Sequence, residues 1–510
     1  MTLYKLTDTP PRSQPFTSPP CFFDGSDEVT TSYAIRGGGI HSDRLTAVAV
    51  DGAGAVVAAG LHPGYFSSPA TFGGVVLSTT DEEKAVVWKM NAEGTTLWAV
   101  HGSSSGDVML YGVAVDGARA VVAAGSLDTD LYPATFGDVV LTAAWGVVWK
   151  MSAEGTTLWA VTGGMAVNTV AVDGAGAVVA AGEVYSTKTV GDVALTSVGD
   201  ADAAVWKMSA DGTTLWAVRG GGSYDSIMYA VAVDGANAVV AAGVFDGSTA
   251  TFGGVVLTNV GSTSYSDAVV WKMSAAGTTL WAVRGGGRYF DRVRAVVVDS
   301  AGAVVAAGQS ATRSATFGDV VLNDGGSSYK HALVWKMSAD GTTLWAVSED
   351  DPDGGSMLNG VAVDGAGAVV AAGHFGSDRL DGMMTLGGVV LNTAGSHDAV
   401  LWKLSGEGTS MWAVRGGGED YDVLQAVTMD GAGGVVAVGH FVSTMATFGD
   451  VVLANAWTPW SLYEDAVVWK VSDAAESTMF CSTSTPLYHR AHRVTRPFEP
   501  SVLSCPPAVL

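Results

Sequence analysis

Two sets of aspartates recur along the chain at places where carboxylate chemistry could be done. One set follows the glycine runs, and the other stands just before the third strand of a repeated unit described below. Clusters of oxygen ligands suit calcium, whereas single acids serve equally well to cap turns. We therefore predict that the first set faces a ligand, and we name the second set as weak candidates for metal ligands. The first set is Asp43, Asp107, Asp225, Asp291 and Asp422, and the second is Asp202, Asp267, Asp398 and Asp465.

An aromatic cluster lies in the segment WTPWSLYED, where Trp457, Trp460 and Tyr463 fall close together. Exposed aromatic patches often mark surfaces that bind partners, and such rings stack on sugars or peptides. The alternative is that they pack within their own loop. We include these three residues in the predicted ligand face.

Motifs of common catalytic sites give little support for an enzyme. The chain contains no HExxH and no P-loop sequence, so zinc-protease and nucleotide-binding chemistry are not indicated. All three cysteines lie outside the repeats, at Cys21, Cys481 and Cys505. Whether Cys21 and Cys481 form a disulfide bond is left open. We predict no catalytic residue. We also predict no cofactor, and calcium is the one bound ion that stays a candidate. The alternative is a polysaccharide lyase or hydrolase whose paired carboxylates are brought together by the fold.

The charge of the chain narrows the classes of partner. With 26 basic and 50 acidic residues its formal charge is −24, and it lacks the basic face that nucleic-acid binding requires. Anionic membrane surfaces are disfavoured for the same reason, whereas cationic partners are compatible.

No apolar run approaches the ~18 residues of a membrane span, and the first residues lack the apolar core of a signal peptide. We expect no membrane insertion and leave the compartment open.

Seven near-copies of one unit fill most of the chain. Each contains a tryptophan–lysine pair, and the pairs recur every 57–67 residues. The seventh copy stops at WKVSD and lacks the usual GTTLWAVRGGG, but a matching piece, TTSYAIRGGG, stands near the start at Thr30–Gly39. A closed ring explains this split, whereas a linear stack does not. The seven tryptophans are Trp88, Trp149, Trp206, Trp271, Trp335, Trp402 and Trp469.

Each unit predicts four short strands, typified by TAVAVD, AVVAAG, AVVWKM and TTLWAV, with glycine-containing turns between them. Valine, threonine and tryptophan favour strands, and four such strands form a small sheet that must pack against its neighbours. We predict an all-β, seven-bladed β-propeller of four-stranded antiparallel blades. Its last blade takes three strands from Leu424–Asp473 and its outer strand from Thr30–Gly39. The runner-up is a parallel β-helix. The predicted domains are a propeller at 30–473 and disordered tails at 1–29 and 474–510.

The two faces of such a ring differ in sequence. The turns between strands 1 and 2 and between strands 3 and 4 are short and nearly uniform, and both emerge on one face, which we call the uniform-turn face. The remaining connections emerge on the opposite, variable-loop face and differ in length and content. Because loops on a rigid frame carry recognition, we predict that the variable-loop face binds the ligand. Turn aspartates such as Asp51 are predicted to bond their own turn, and lysines such as Lys89 to be paired structural charges.

The repeated unit resembles a known family, the seven-bladed β-propeller repeat called the SBBP repeat. The matching segments are VDGANAVVAAG at Val233–Gly243, ATFGGVVL at Ala250–Leu257, DAVVWKM at Asp267–Met273 and GTTLWAVRGGG at Gly277–Gly287. The chain departs from the family pattern at one turn position, because only Asn237 matches the asparagine that the family often has there and the other units usually have glycine. The resemblance covers residues 30–473 and implies binding or scaffolding without catalytic residues.

These observations together predict a non-enzymatic binding or scaffold propeller. We expect a monomer that recognises a protein, a peptide or a glycan on its variable-loop face. The alternative remains a propeller enzyme that uses carboxylates in the central funnel.

Overall fold

The computed structural model describes residues 29–63, 69–77, 83–104, 108–127, 133–142, 145–261, 263–323, 330–349, 355–377, 382–456 and 463–473. The regular elements in these ranges are β-strands, 40 in number. No helix in the described ranges is long and apolar enough to cross a membrane. The two predicted tails lie outside these ranges except for Val29, so their disorder remains a prediction.

Seven sheets of the described residues each contain a four-stranded antiparallel blade. Strands are numbered in chain order, and each blade is given from its first to its fourth strand. Blade 1 is β2 (Arg44–Val50), β3 (Val56–Pro63), β6 (Glu83–Met90) and β7 (Thr96–Ser104); blade 2 is β8 (Val108–Val115), β9 (Val121–Leu127), β12 (Gly146–Met151) and β13 (Thr157–Gly163); blade 3 is β14 (Ala166–Val172), β15 (Val178–Val190), β16 (Val193–Met208) and β17 (Thr214–Gly222); blade 4 is β18 (Ser226–Val233), β19 (Val239–Phe245), β22 (Asp267–Met273) and β23 (Thr279–Gly286). Blade 5 is β24 (Asp291–Val298), β25 (Val304–Ser310), β28 (His331–Met337) and β29 (Thr343–Ser348); blade 6 is β30 (Met357–Val363), β31 (Val369–Gly376), β34 (His397–Leu404) and β35 (Ser410–Gly417); blade 7 is β36 (Asp422–Met429), β37 (Val435–Phe441), β40 (Asp465–Asp473) and β1 (Val29–Gly38).

The first strands of the blades surround one axis. Each contacts the first strands of both neighbouring blades, in the cyclic order β2, β8, β14, β18, β24, β30, β36 and back to β2. The second and third strands are buried on both faces by neighbouring blades, which is why they read as nearly continuous Val and Ala. The predicted all-β, seven-bladed propeller is confirmed.

The ring closes through β1, as the split seventh unit predicted. This strand pairs antiparallel with β40, with Tyr33 opposite Lys470 and Ala34 opposite Trp469. The indole N–H of Trp469 donates to Thr31 Oγ1 over 3.2 Å, a bond that the other blades make within a continuous stretch of chain. The first and last described strands therefore complete one sheet.

Lysines of the tryptophan–lysine pairs join adjacent blades on the uniform-turn face. Asp430 accepts the amide N–H groups of Ala432 and Gly434 in its own turn, and its other oxygen lies 2.8 Å from Lys470 Nζ. Lys470 also donates to the carbonyl of Ala92 in blade 1, over 3.0 Å. The predicted turn-capping aspartates and paired lysines are thus confirmed. Blade 6 differs, because its lysine pairs with Asp473 of blade 7.

Short hairpins inserted between the second and third strands form a second set of joints. They are β4 (Ala70–Phe72) with β5 (Val75–Leu77), β10 (Ala134–Phe136) with β11 (Val139–Leu141), β20 (Thr249–Phe252) with β21 (Val255–Thr258), β26 (Ser314–Phe317) with β27 (Val320–Asn323), β32 (Met383–Leu386) with β33 (Val389–Asn392), and β38 (Met445–Phe448) with β39 (Val451–Ala454). Except for β32, the first strand of each hairpin pairs with the fourth strand of the preceding blade. The hairpins therefore cover the outer edges of the blades, where unpaired backbone groups could otherwise pair with strands of other chains.

A phenylalanine in the hairpin explains why glycine recurs at the end of the fourth strand. Phe72 packs edge-on against Trp88 with ring centroids 5.4 Å apart. A β-carbon on Gly37 of the preceding blade would lie only 2.6 Å from the Phe72 ring. The ring thus occupies space that only glycine leaves, and a hairpin with this phenylalanine is held between two blades.

We predict that removing such a ring weakens the junction strongly. Phe136 is fully buried and packs against Trp149, so Phe136→Ala is expected to lower the free energy of unfolding by about 3–5 kcal/mol. Val140 on the same hairpin is 60% exposed, and Val140→Ala is expected to cost no more than about 0.5 kcal/mol. Denaturant unfolding of both variants tests this, and equal losses would show that the ring is not a joint.

Candidate functional site

The described members of the two predicted aspartate sets lie on the variable-loop side of the ring, where two carboxylates meet between neighbouring blades. Asp267 Oδ2 lies 2.9 Å from Arg284 Nη1. Asp291 Oδ2 accepts the N–H of Gly287 and the hydroxyl of Thr312, each over 2.8 Å. A β-carbon on Gly286 would lie 2.8 Å from Asp267 Oδ1 and from Asp291 Oδ2. The two aspartates thus form a buried pair around a glycine with φ of 137°.

The same arrangement recurs at three other junctions. Each has one aspartate bonded to an arginine on the fourth strand of its own blade and a second aspartate near the start of the next blade. The sets are Asp202, Arg219 and Asp225; Asp398, Arg415 and Asp422; and Asp465, Arg36 and Asp43. The structure therefore brings together members of the two predicted sets in pairs.

Burial separates these carboxylates from the open surface. Asp225 is partly exposed, whereas the other described members of the two sets are almost completely buried. Each arginine-bonded aspartate keeps one oxygen, Oδ1, without a hydrogen-bond partner. Among the described residues, no three His, Cys, Asp or Glu side chains are grouped to hold a metal ion. Calcium binding therefore remains a prediction from sequence.

Burial also shifts the acidity of the pairs. It raises the pKa of Asp422 to about 7, against hydrogen bonds from Ser443 and Gly418 that lower it. It likewise raises the pKa of Asp267 and of Asp465 to about 6, against their arginines. Members of these pairs therefore take up protons near neutral pH.

The aromatic part of the predicted ligand face is described only in part. Tyr463 is 40% exposed, and its ring lies edge-on to His41 with centroids 5.4 Å apart. Trp457 and Trp460, together with Asp107, lie outside the described residues. Their place on the ligand face remains a prediction.

A polar pocket of about 390 Å³ lies on the ring axis. One residue from each first strand lines it, always five positions before the turn aspartate of its blade. These axial residues are Thr46, Tyr111, Asn168, Tyr229, Arg294, Asn359 and Gln425. Arg44 and Met109, two positions earlier in blades 1 and 2, complete the wall. Because the turn aspartates mark the uniform-turn face, the pocket lies toward the variable-loop end of the strands.

A β-bulge occurs at the axial residue in every blade. The pairing of each first strand with its second strand shifts register there, for example between Leu110 and Gly112, which leaves Tyr111 unpaired. A bulge re-aims a side chain and frees the neighbouring carbonyl. In two junctions the axial amide of one blade bonds that carbonyl in the next, Asn168 with Met228 O and Asn359 with Leu424 O, over 3.1 and 3.0 Å.

Charged groups around the pocket are unevenly distributed. In blade 3, Asn168 donates to Glu183 over 2.6 Å, and burial raises the pKa of Glu183 to about 6, against its hydrogen bonds. Arg44 donates from Nε and Nη2 to the two carboxylate oxygens of Glu464. The guanidinium of Arg294 lies 4.7 Å from the ring centroid of Tyr229. The pocket therefore presents hydrogen-bonding groups of several kinds within one open cavity.

The axial pocket was not predicted from the sequence, although a signal for it exists. Aligned units agree in type at most positions of the first strand, with Val directly before the turn aspartate in six units and Met429 in the seventh. The axial position is instead polar in all seven units and differs between them. A polar, varying position inside an otherwise uniform strand marks a place where the repeat serves something other than packing.

Comparisons with known proteins were made for the whole chain. No protein-family model and no curated protein matches it. Among solved structures, the WD40 β-propeller domain of Doa1 is 12% identical with a TM-score of 0.42, and the match covers 87% of this chain and 96% of that one. The WD40 domain of Pan2 from Neurospora crassa is 9% identical with a TM-score of 0.34, covering 68% and 92%. A protein of unknown function from Bacteroides caccae is 10% identical with a TM-score of 0.34, covering 65% and 89%. The fold assignment rests on the strand pairing of the chain itself, and membership of the SBBP repeat family remains a prediction.

The buried carboxyl pairs predict a particular pH dependence of stability. Because the folded-state pKa of Asp422 is raised to about 7, its contribution is fully present below the unfolded pKa of about 3.9 and is lost as the pH rises through 7. We expect the melting temperature to fall between pH 5 and 8, and Asp422→Asn to reduce this fall.

Asp173 provides the matched control, because hydrogen bonds and Lys207 lower its pKa despite partial burial. Asp173→Asn should reduce stability by the same amount at pH 5 and pH 8. Thermal unfolding across this range measures both effects. An unchanged pH slope in Asp422→Asn would contradict the assigned acidity.

Proposed function

We propose that this protein is a non-enzymatic binding propeller that recognises an extended polar segment of a protein partner at the variable-loop end of its axis. The axial pocket determines specificity, and the surrounding loops add contacts. A glycan is the competing ligand class, because hydroxyl groups use the same donors and acceptors.

The observation that carries this proposal is the variation at the axial position. If the bulge were purely structural, one residue type could stand at all seven axial positions. Aspartate repeats in this way in the turns, and tryptophan does so in the core. The chain instead places five residue types there, each able to form hydrogen bonds. Neither Tyr111 nor Gln425 forms a side-chain hydrogen bond with another described residue, so both are available to a ligand.

Size and chemistry of the pocket agree with a binding role. Its volume of about 390 Å³ is within the range of small-ligand sites, roughly 300–1,000 Å³, and admits a few side chains of a peptide. None of the described residues that line it carries a carboxylate. The lyase or hydrolase alternative needs two acids at such a place, and these residues supply none.

The predicted ligand-face residues take different parts in this proposal. Asp43, Asp291 and Asp422 are completely buried, so we assign them to holding the loops around the pocket. Asp225 and Tyr463 are partly exposed and are proposed to contact the partner directly. The acidic surface adds long-range attraction for cationic groups at the periphery of the partner.

Ligand screening of the purified chain tests this proposal. We expect binders from a random peptide library, with affinity reduced about tenfold or more by Tyr111→Ala and Gln425→Ala through lost hydrogen bonds and stacking. Glu154→Ala, on an exposed turn of the uniform-turn face, is the matched control and should bind normally. Binders that are insensitive to both pocket variants, or hits confined to a glycan array, would refute a peptide-binding pocket.

A further inference from the structure

Blade 5 departs from the repeat at two neighbouring positions near the axis. Its first strand reads DRVRAVVVD, whereas the corresponding strand of blade 4 reads SIMYAVAVD. Arg294 stands at the axial position and lines the pocket. Arg292 stands at the position that places Arg44 and Met109 on the pocket wall in blades 1 and 2. Two cations therefore stand two positions apart on one strand, and Arg294 lines the pocket while Arg292 lies close to Arg294.

Neither arginine forms an ion pair with a described carboxylate, although Arg292 is close enough to Asp246 to oppose the burial that raises the pKa of that carboxyl. Arg294 contacts the ring of Tyr229, and Arg292 lies 5.3 Å from the ring centroid of Phe290. The Nε atoms of both are buried without a hydrogen-bond acceptor. Gln309, which pairs with Arg292 across the sheet, is almost fully buried and its Oε1 is also unpartnered.

Five other arginines on the variable-loop side of this protein are neutralised by carboxylates. Each bonds a carboxylate of the propeller, at distances of 2.9 Å or less. They are Arg36, Arg44, Arg219, Arg284 and Arg415. The fold therefore has a regular way of pairing arginine with aspartate or glutamate, and blade 5 does not use it.

Holding two partly buried cations side by side is unfavourable without a counter-charge. Burial and the neighbouring Arg292 both lower the pKa of Arg294, while Tyr229 opposes them. Lys330 and His397 also lie close enough to lower the pKa of the buried His374, after burial itself, to about 3. This side of the pocket thus holds two guanidinium groups, and the half-buried carboxylate of Asp246 near Arg292 offsets only part of their charge.

We propose that Arg292 and Arg294 form an oxyanion-binding subsite of the axial pocket. This assignment rests on the proposed binding function and specifies it further. Guanidinium groups donate two parallel hydrogen bonds to carboxylate or phosphate oxygens, and the orphaned donors of blade 5 gain acceptors when such a group enters. The ligand is a peptide that presents an oxyanion to the axis, either an acidic side chain or a phosphorylated residue.

Small anions distinguish these two ligand sources, and a neutral analogue shows how much of the binding depends on charge. The full chain is titrated with N-acetylglutamate, with its neutral analogue N-acetylglutamine and with inorganic phosphate, and binding is followed by ligand-observed NMR. We expect at least one of the two anions to bind, and the neutral analogue to bind at least about tenfold more weakly. Arg294→Gln and Arg292→Gln should each weaken anion binding by a similar factor, and added salt should weaken it further.

Arg119→Gln, on an exposed turn of the uniform-turn face, removes the same charge far from the pocket and should leave anion binding unchanged. Preference for glutamate indicates an acidic peptide, and preference for phosphate indicates a phosphorylated one; both support the subsite. Equal binding of glutamate and glutamine, anion binding unaffected by Arg294→Gln, or no anion binding by a folded protein would overturn it. Peptide binders that lose affinity in Tyr111→Ala but not in Arg294→Gln would refute the subsite alone and leave the proposed function standing.

Discussion

Closure of the ring by β1 is the constraint on which the rest of this structure depends. No blade can bury both faces of its second and third strands unless it has a neighbour on each side, and blade 7 has an outer strand only because Thr31 and Tyr33 lie beside Trp469 and Lys470. Lysines then join neighbouring blades on the uniform-turn face, and hairpin phenylalanines join them at five junctions. A blade is thus stabilised mainly by its neighbours, as in other repeat architectures.

This closed ring separates the positions that hold the fold from those that are free to vary. Turn aspartates, lysines and tryptophans repeat because each junction must be made in the same way. The axial residue faces no neighbour that requires one particular side chain, so Tyr111, Arg294 and Gln425 can differ at equivalent places. Seven bulges bring these differences together within one pocket. The proposed recognition function is therefore a consequence of circular geometry acting on a nearly uniform repeat.

Local patterns allowed much of the fold to be predicted, because strand alternation, glycine turns and the split seventh unit are all visible in the sequence. The junctions were not, because the fit of Phe72 against Gly37 joins segments that belong to different units. Asp267 and Asp291 were placed on the correct face, but their burial depends on Arg284 and Thr312, which no spacing rule connects to them. The axial pocket escaped prediction although its polar, varying position is visible in the aligned units, because the sequence alone does not show that a bulge turns each of these side chains toward one shared space.

Closure can be tested directly by a cross-link between the two ends of the ring. Thr30 and Ser472 are paired across β1 and β40, with side-chain oxygens 3.1 Å apart. In a chain whose own three cysteines are replaced by serine, Thr30→Cys with Ser472→Cys should form a disulfide on oxidation and raise the melting temperature, because the bond closes a very long loop. Two free thiols in the oxidised, folded protein would contradict circular closure and the axial pocket that depends on it.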